Sequence, residues 1–428
     1  MDKPPFEVAD VIRSLADADG VVPGLCVSTA QQRVLNAIAA CRTAKLGGHV
    51  EECDAGCGQE LIAYNSCGNR HCPKCQARRR AEWLEARRDD LLPVPYFHVV
   101  FTVSNLIGPL ALQNKREIYN LLFSAAGDTL KEVAANPEHL GAEIGFIAVL
   151  HTWGQTLVHH PHLHCVVPGG GLSEDAQRWV ASSERFFLCV KVLSEVFRGK
   201  FLEGLHTLFD HGRLRFAGKL EALAEPDHFN LLCDKLCEHD WVVYAKPPFG
   251  GPEQVLKYLA RYTHRVAIAN SRILKIDADT VSFRYKDYAQ GNCQRVMSLS
   301  RLEFLRRFAQ HVLPDGLVRI RHFGFLANRC RKEKLARCRQ LLGGPEAQGI
   351  ARQPDTDASV PTDDDAPIQH PGDDSHEQDA VDSESTTPQD DPHRCPKCGK
   401  GKMRQTATFD PQFTWTYERR RPAPRDTS

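Results

Sequence analysis

Apolar positions recur along the chain with two periods, and the switches between them divide it. Over residues 11–45 they fall on one helix face: Val11, Ile12 and Leu15, then Val34, Leu35 and Ile38. Residues 50–80 lose that spacing and gain cysteines. Arg78 to Leu92 predicts a basic amphipathic helix, stopped by Pro93 and Pro95. From Tyr96 the pattern turns strand-like. Tyr96 to Ser104, Ile144 to Trp153 and His160 to Val167 are β-rich runs, the last closed by Pro168 and three glycines. The two later runs lie close enough in sequence to predict an antiparallel pair. Helices are expected at 116–134, 192–208 and 227–238, and from Glu253 to Thr263 behind Pro252. A short strand follows at Asp240 to Tyr244. Val266 to Ile276 and Thr280 to Tyr285 predict a hairpin around Asp277, Ala278 and Asp279, and residues 300–343 a very basic helical stretch. Helices interspersed with antiparallel strands make an α+β layered fold.

Composition changes this picture in one place. At 428 residues, with 42% hydrophobic and 25% charged, the chain can bury a sizeable core, and wholesale disorder is excluded. Residues 345–393 are the exception. They hold 14 acids and one base, with much Pro, Ser and Gln, and too little apolar surface to order. A disordered acidic linker is expected there. The formal charge of zero therefore hides a split: the remainder carries 53 basic against 40 acidic residues. A basic body suggests a polyanionic partner, set against the plainer reading of an unevenly charged surface. No run of eighteen apolar residues occurs, and the start, Met1 to Gly20, carries acids where a signal peptide needs bases. A cytoplasmic protein is expected. The domain boundaries predicted are 1–95 (helical, Cys-rich), 96–299 (mixed strands and helices), 300–344 (basic, helical), 345–393 (linker) and 394–428 (basic tail).

Sixteen cysteines without a secretion signal, several in close pairs, point to metal in a reducing compartment. Zn²⁺ takes four tetrahedral ligands, and short-spaced pairs supply two from each of two turns. Cys53 and Cys57 make one pair, and Cys72 and Cys75 the other. Cys67 and His71 could replace one member or hold a second ion. Cys395-Pro-Lys-Cys398-Gly is half of a second knuckle; its other ligands must come from elsewhere, His393 being one choice. Cys233, Cys237, Cys330 and Cys338 read as ordinary core or helix residues. Arg78, Arg79, Arg80, Arg87 and Arg88 would put bases beside the zinc unit, for phosphate contact or as a solvated face.

Histidines form the second constellation, His159-His160-Pro-His162-Leu-His164. Alternate side chains of a strand share a face, so His160, His162 and His164 should point one way and Leu163 into the core. Two imidazoles at i, i+2 can bind one divalent ion if a neighbouring strand supplies a third ligand, for which His151 and Gln155 compete. A hydrogen-bonded histidine group on a strand edge is the plainer alternative. The third constellation is Tyr258-Leu-Ala-Arg-Tyr262, two phenols one helical turn apart, with Lys257, Arg261, His264 and Arg265 around them. Aromatics at that spacing are more often core than catalytic.

The ordered set resembles the two-tyrosine branch of the HUH (His-hydrophobe-His) endonuclease superfamily. More narrowly, it resembles the transposases of the insertion sequence ninety-one family. The motifs are Asn65 to Cys75, His151-Thr-Trp-Gly-Gln155, His160 to His164 with Val166 to Gly171, Tyr258 to Tyr262, Phe283 to Tyr288 and Arg319 to Arg329. The resemblance implies an N-terminal zinc-binding domain and a central ferredoxin-like antiparallel sheet with helices on one face. It implies His162 and His164 as metal ligands, with His151 or Gln155 third, and Tyr258 and Tyr262 as paired nucleophiles. The ion would be Mg²⁺ or Mn²⁺ at the histidines and Zn²⁺ at the cysteines. The partners would be single-stranded DNA at transposon ends and target DNA. The activity would be nicking and rejoining through 5′-phosphotyrosine intermediates, which conserve the phosphodiester energy without ATP. A rolling-circle replication initiator or relaxase, a water-using hydrolase and a non-enzymatic zinc-finger protein are the rivals.

Overall fold

A computed structural model describes residues 4–183, 187–238, 241–249, 266–287, 290–291, 293–343 and 394–417. Tyr258, Tyr262, His264, Arg265 and His393, and the expected linker, lie outside the described residues. No helix among the described residues is long and apolar enough to cross a membrane.

The chain opens with two helices, α1 (Val8–Arg13) and α2 (Thr29–Ala40). Ser28 caps α2 through a capping box with Gln31, satisfying donors that the helix start would otherwise leave open. Strands β1 (Gly48–Cys53) and β2 (Glu60–Tyr64) form a hairpin, and α3 (Pro73–Arg88) follows. This helix starts five residues before the expected Arg78, because Cys72 occupies the cap and Pro73 the first turn, where a missing N–H costs nothing.

The centre is a five-stranded antiparallel sheet made of β3 (Tyr96–Thr102), β4 (Gly145–Trp153), β5 (His159–Pro168), β8 (Val243–Phe249) and β12 (Ile320–Gly324), in the order β12-β4-β5-β3-β8. A small hairpin, β6 (Gly170–Leu172) with β7 (Trp179–Ala181), extends from β5. Period-two alternation gives the large sheet two different faces. Phe97, Val99, Phe101, Phe146, Ala148, Leu150, Leu163, Cys165 and Val167 pack into one core with α5 (Lys115–Ala135) and α6 (Val190–Asp210). The short α4 (Gly108–Gln113) and α7 (Pro226–Cys237) close the ends of that core. Phe97, Phe101, Phe123, Phe146, Phe197 and Phe201 are each fully buried there, worth about 2–3 kcal/mol apiece in area terms. The other face carries His98, His151, His162 and His164 at one end. At the other end Ile147, Val149, Tyr96 and Val166 pack with Trp83, Phe325, Leu326 and Leu335.

Residues 300–343 are not uniformly helical. Helix α8 (Arg301–Gln310) and helix α9 (Arg331–Leu341) flank β12, which pairs with β4 from Ile320↔Val149 to Gly324↔Gly145. The segment expected as a separate basic piece thus supplies an edge strand of the central sheet. Gly324 makes this possible. Its φ is +57°, and a Cβ there would sit 1.7 Å from the Ile144 carbonyl oxygen.

A second core joins the N-terminal helices to a meander of β9 (Ile273–Ile276), β10 (Thr280–Asp287) and β11 (Cys293–Ser300). The β9–β10 hairpin forms as expected, with Ile276 opposite Val281. Ile12, Leu35 and Ile38 pack here with Phe283, Phe304 and Phe308, so the chain division near residue 95 is not a division of this core. The tail is not separate either. Strands β13 (Met403–Phe409) and β14 (Trp415–Tyr417) extend the first hairpin into a sheet of order β14-β13-β1-β2, with Cys53 opposite Met403.

Candidate metal centres

The histidine centre is set by strand register. His151 on β4 lies directly opposite His162 on β5, and His164 is two residues further along the same face. The ligand atoms of His151, His162 and His164 all lie within 4.8 Å of one another, and the three rings are buried. Hydrogen bonds settle how two of them present themselves. The Nδ1 of His162 is 2.8 Å from the His160 carbonyl oxygen, so it carries the proton and leaves Nε2 as the donor atom. The Nδ1 of His164 is 2.8 Å from Nε2 of His98, with the two rings stacked at 5.0 Å. A histidine that binds through Nε2 donates its Nδ1 proton, which makes His98 the acceptor and the orienting partner. Trp153 stacks on His151 at 4.6 Å and covers it. Three neutral imidazoles converging in a buried pocket fit a divalent cation, and the set adds no carboxylate to offset the ion's charge.

Not every expected neighbour joins. His160, predicted on the same face, turns its Nδ1 to Oδ1 of Asn105 at 3.1 Å and stays outside the trio. Burial, and then the nearby His162, push its pKa down to about 4. Gln155 lies beyond the end of β4, where its carbonyl oxygen accepts from Arg272 at 2.6 Å. His159 sits on the helix-covered face, its Nε2 2.8 Å from the Tyr119 hydroxyl. Sequence reading overlooked His98. Its signal was only a histidine amid the apolar run Tyr96-Phe-His-Val-Val-Phe, on the face that Leu163 and its neighbours avoid.

The cysteines regroup. Cys53, Cys57, Cys72 and Cys75 do not converge as one set, because the first pair lies at the end of β1 and the second at the start of α3, in different cores. One tetrad is Cys41, Cys67, Cys72 and Cys75; the other is Cys53, Cys57, Cys395 and Cys398. In the first, Cys75 Sγ is 3.6 Å from the Sγ of both Cys41 and Cys67. In the second, Cys53 to Cys398 is 3.7 Å and Cys57 to Cys395 is 3.6 Å. Four thiolates around Zn²⁺ at 2.3 Å lie about 3.8 Å apart, so both sets have the right spacing. Burial pushes the Cys41 thiol up to about 11. It also raises Cys72 strongly, behind the hydrogen bond from Cys67. Such thiols ionise only on a metal. His71 is not in either tetrad. Its Nε2 accepts from the Leu313 N–H at 3.1 Å and its Nδ1 meets Oδ1 of Asn69 at 3.1 Å, so both ring nitrogens already have hydrogen-bond partners. Sequence reading missed Cys41, which follows α2 like one more core residue after Ile38.

Residues 19–103 match the family described as "Transposase zinc-binding domain", and residues 145–334 the family described as "Putative transposase". The first interval contains the whole Cys41 tetrad but only half of the other; the second contains the histidine trio. A protein of Sinorhizobium fredii (strain NBRC 101917 / NGR234), "Putative transposase y4qJ", is 57% identical over 337 residues, covering 79% of this chain and 84% of that protein. The "Transposase for insertion sequence element IS801" of Pseudomonas savastanoi pv. phaseolicola is 28% identical over 318 residues, covering 71% and 72%. Among solved structures, a conjugative relaxase, TrwC, in complex with oriT DNA is similar at 13% identity, covering 74% of this chain and 96% of that one. Its TM-score is 0.24, too low to support any statement about this chain. With a transposase zinc-binding domain ahead of the transposase region, and relatives that are transposases over most of their length, the chain belongs to the insertion sequence ninety-one family of transposases.

Proposed function

We propose that this transposase nicks and rejoins single-stranded DNA at transposon ends, in the rolling-circle manner, with the histidine trio as the cation site of its catalytic centre. The observation that carries this reading is the convergence of His151, His162 and His164 on one buried point of the central sheet. Mg²⁺ or Mn²⁺ held there would polarise the scissile phosphate. His98 fixes the His164 ring, and the His160 carbonyl fixes His162, so the donor atoms need no reordering when DNA arrives.

Tyr258 and Tyr262 are the proposed nucleophiles. A phenol near its ordinary pKa of about 10 attacks poorly unless the phosphate is activated. In the proposed step the phenolic oxygen bonds to phosphorus and the phenolic proton is released. The bond from phosphorus to the 3′ oxygen breaks, and that oxygen leaves as a 3′-OH after taking up a proton. The 5′-phosphotyrosine keeps the bond energy for rejoining. A second tyrosine four residues away allows a second cleavage while the first end stays attached. The arginines of α3 serve DNA backbone contact: Arg79, Arg80 and Arg88 are exposed, whereas Arg87 is tied to Asp90 at 3.0 Å.

The test is incubation of the full chain with a labelled single-stranded terminal oligonucleotide and Mn²⁺. A denaturation-resistant adduct is expected, mapping to Tyr258 or Tyr262 by mass spectrometry. The double variant Tyr258→Phe, Tyr262→Phe should abolish it, and His162→Ala should reduce it by at least about a hundredfold. An adduct that survives in the double variant overturns the nucleophile assignment. Cleavage with no adduct would favour a hydrolase that uses water.

A further inference from the structure

The tail knuckle finds its partners at the other end of the chain. Cys395 and Cys398 face Cys53 and Cys57 across two turns that are hydrogen-bonded to one another. The Asp54 N–H donates to the Lys402 carbonyl at 3.0 Å, and the Lys402 N–H donates to Oδ1 of Asp54 at 2.7 Å. Lys397 Nζ donates to the Cys57 carbonyl at 3.1 Å, and Asp54 pairs with Arg404 at 2.8 Å. The Gly401 N–H points at Cys398 Sγ from 3.4 Å. Position 401 has no room for a side chain: a Cβ there would stand 2.5 Å from Cys53 Sγ and 2.7 Å from the Ala55 Cβ. The sulfur contacts of 3.6 and 3.7 Å are far longer than a disulfide bond and match the edge of a tetrathiolate.

We propose that Cys53, Cys57, Cys395 and Cys398 bind a second structural Zn²⁺, split between the N-terminal hairpin and the C-terminal tail, which ties the tail to the body as one zinc ribbon. This site is distinct from the Cys41 tetrad, which lies wholly within the zinc-binding domain of the family. The inference goes beyond the nicking reading and does not depend on it. The ribbon needs both ends: β1 carries Cys53 at its last residue, β13 begins five residues after Cys398, and the two strands pair along their length. Ligands separated by more than three hundred residues can meet only when the tail has folded back, so the ion would act as a clasp between chain termini.

The test uses the purified full chain. A thiol-specific mercurial releases only zinc held by cysteines, so the histidine centre does not enter the count. About two zinc ions per chain are expected from wild type, and about one from the variant Cys395→Ser, Cys398→Ser. Equal release from the two proteins overturns the proposal. A second measurement guards against a variant that merely folds poorly. With a protease site placed between residues 345 and 393 and cut, the wild-type tail should co-elute with the body while the variant tail separates. If both tails stay, strand pairing alone holds them. If both leave, no clasp exists. Either result refutes the clasp, while the zinc count decides whether the second site exists.

Discussion

The two cysteine tetrads share their ligand chemistry and differ in what surrounds them. Cys41, Cys67, Cys72 and Cys75 come from 35 residues of chain and sit inside a core with Ile12, Leu35, Ile38, Phe304 and Phe308. Lys74 stands beside them, its Nζ 2.8 Å from Oε2 of Glu7 and 2.9 Å from the Cys41 carbonyl. Among the described residues, Met403 is the one apolar side chain other than cysteine in the small cluster around Cys53, Cys57, Cys395 and Cys398. Where ligands are part of a large core, an ion's binding free energy becomes folding free energy for that core. Where they bridge two peripheral turns, the same chemistry holds one end of the chain to another and leaves the body's stability alone.

The sharpest way to break this contrast is to damage each set once. Cys72→Ser should destabilise the N-terminal half by roughly 5 kcal/mol or more, seen as loss of soluble protein or of a cooperative unfolding transition. Cys395→Ser should leave the midpoint of body unfolding within about 1 kcal/mol. Similar losses from both would show that the two regions are coupled and that the contrast fails.

A smaller effect comes from His311, at the end of α8 next to the interior core. Its Nε2 donates to the Leu157 carbonyl at 3.1 Å and its Nδ1 accepts from the Thr152 hydroxyl at 3.2 Å, which suits a neutral ring. Burial holds its pKa down at about 3. The unfolded chain therefore binds a proton between pH 6.5 and 3 that the folded chain refuses. Stability is fully present above about pH 6.5 and falls as the pH drops towards 3, by up to about 1.4 kcal/mol per unit. Urea midpoints measured between pH 7 and 4.5 should show at least this slope, and His311→Gln should reduce it by one proton's share, leaving that of other buried histidines such as His160 and His322. An unchanged slope would remove His311 from the account.

The smallest effect is Gly401→Ala. The added methyl should weaken metal retention at the tail set roughly fivefold, about 1 kcal/mol, through overpacking against Cys53. Zinc at the interior set should be unaffected. Competition with a chromogenic chelator reads both, and equal weakening at the two sets would contradict their independence.

Much of this was legible in the chain. Ile144 to Trp153 and His160 to Val167 were legible as a pair of strands, being β-rich and close in sequence, each with one face mostly apolar. The long helices at 115–135 and 190–210 showed their stripes for the same reason. The cysteine partners were not legible. A Cys-x2-Cys pair reveals a turn that can offer two thiolates, but nothing in its own spacing states which other turn it meets. Cys53 and Cys57 were matched with the nearer pair at 72 and 75, while their neighbours in space come from 395 and 398. Strand β12 escaped because Ile320-Arg-His-Phe-Gly is short and basic, and its place is fixed by the backbone of β4 rather than by its own side chains. His98 acts through another histidine, a role that no single-sequence pattern encodes.

The pairing of β1 with β13 has a consequence in time. At synthesis rates of about 5–20 residues per second, roughly 20–70 s separate the emergence of these strands from the ribosome. During that interval the hairpin of β1 and β2 waits with one edge bare and two thiols unmatched, while the helices and large sheet behind it assemble. A message cut short before codon 394 would release a transposase whose middle is complete and whose opening hairpin never finds its third strand.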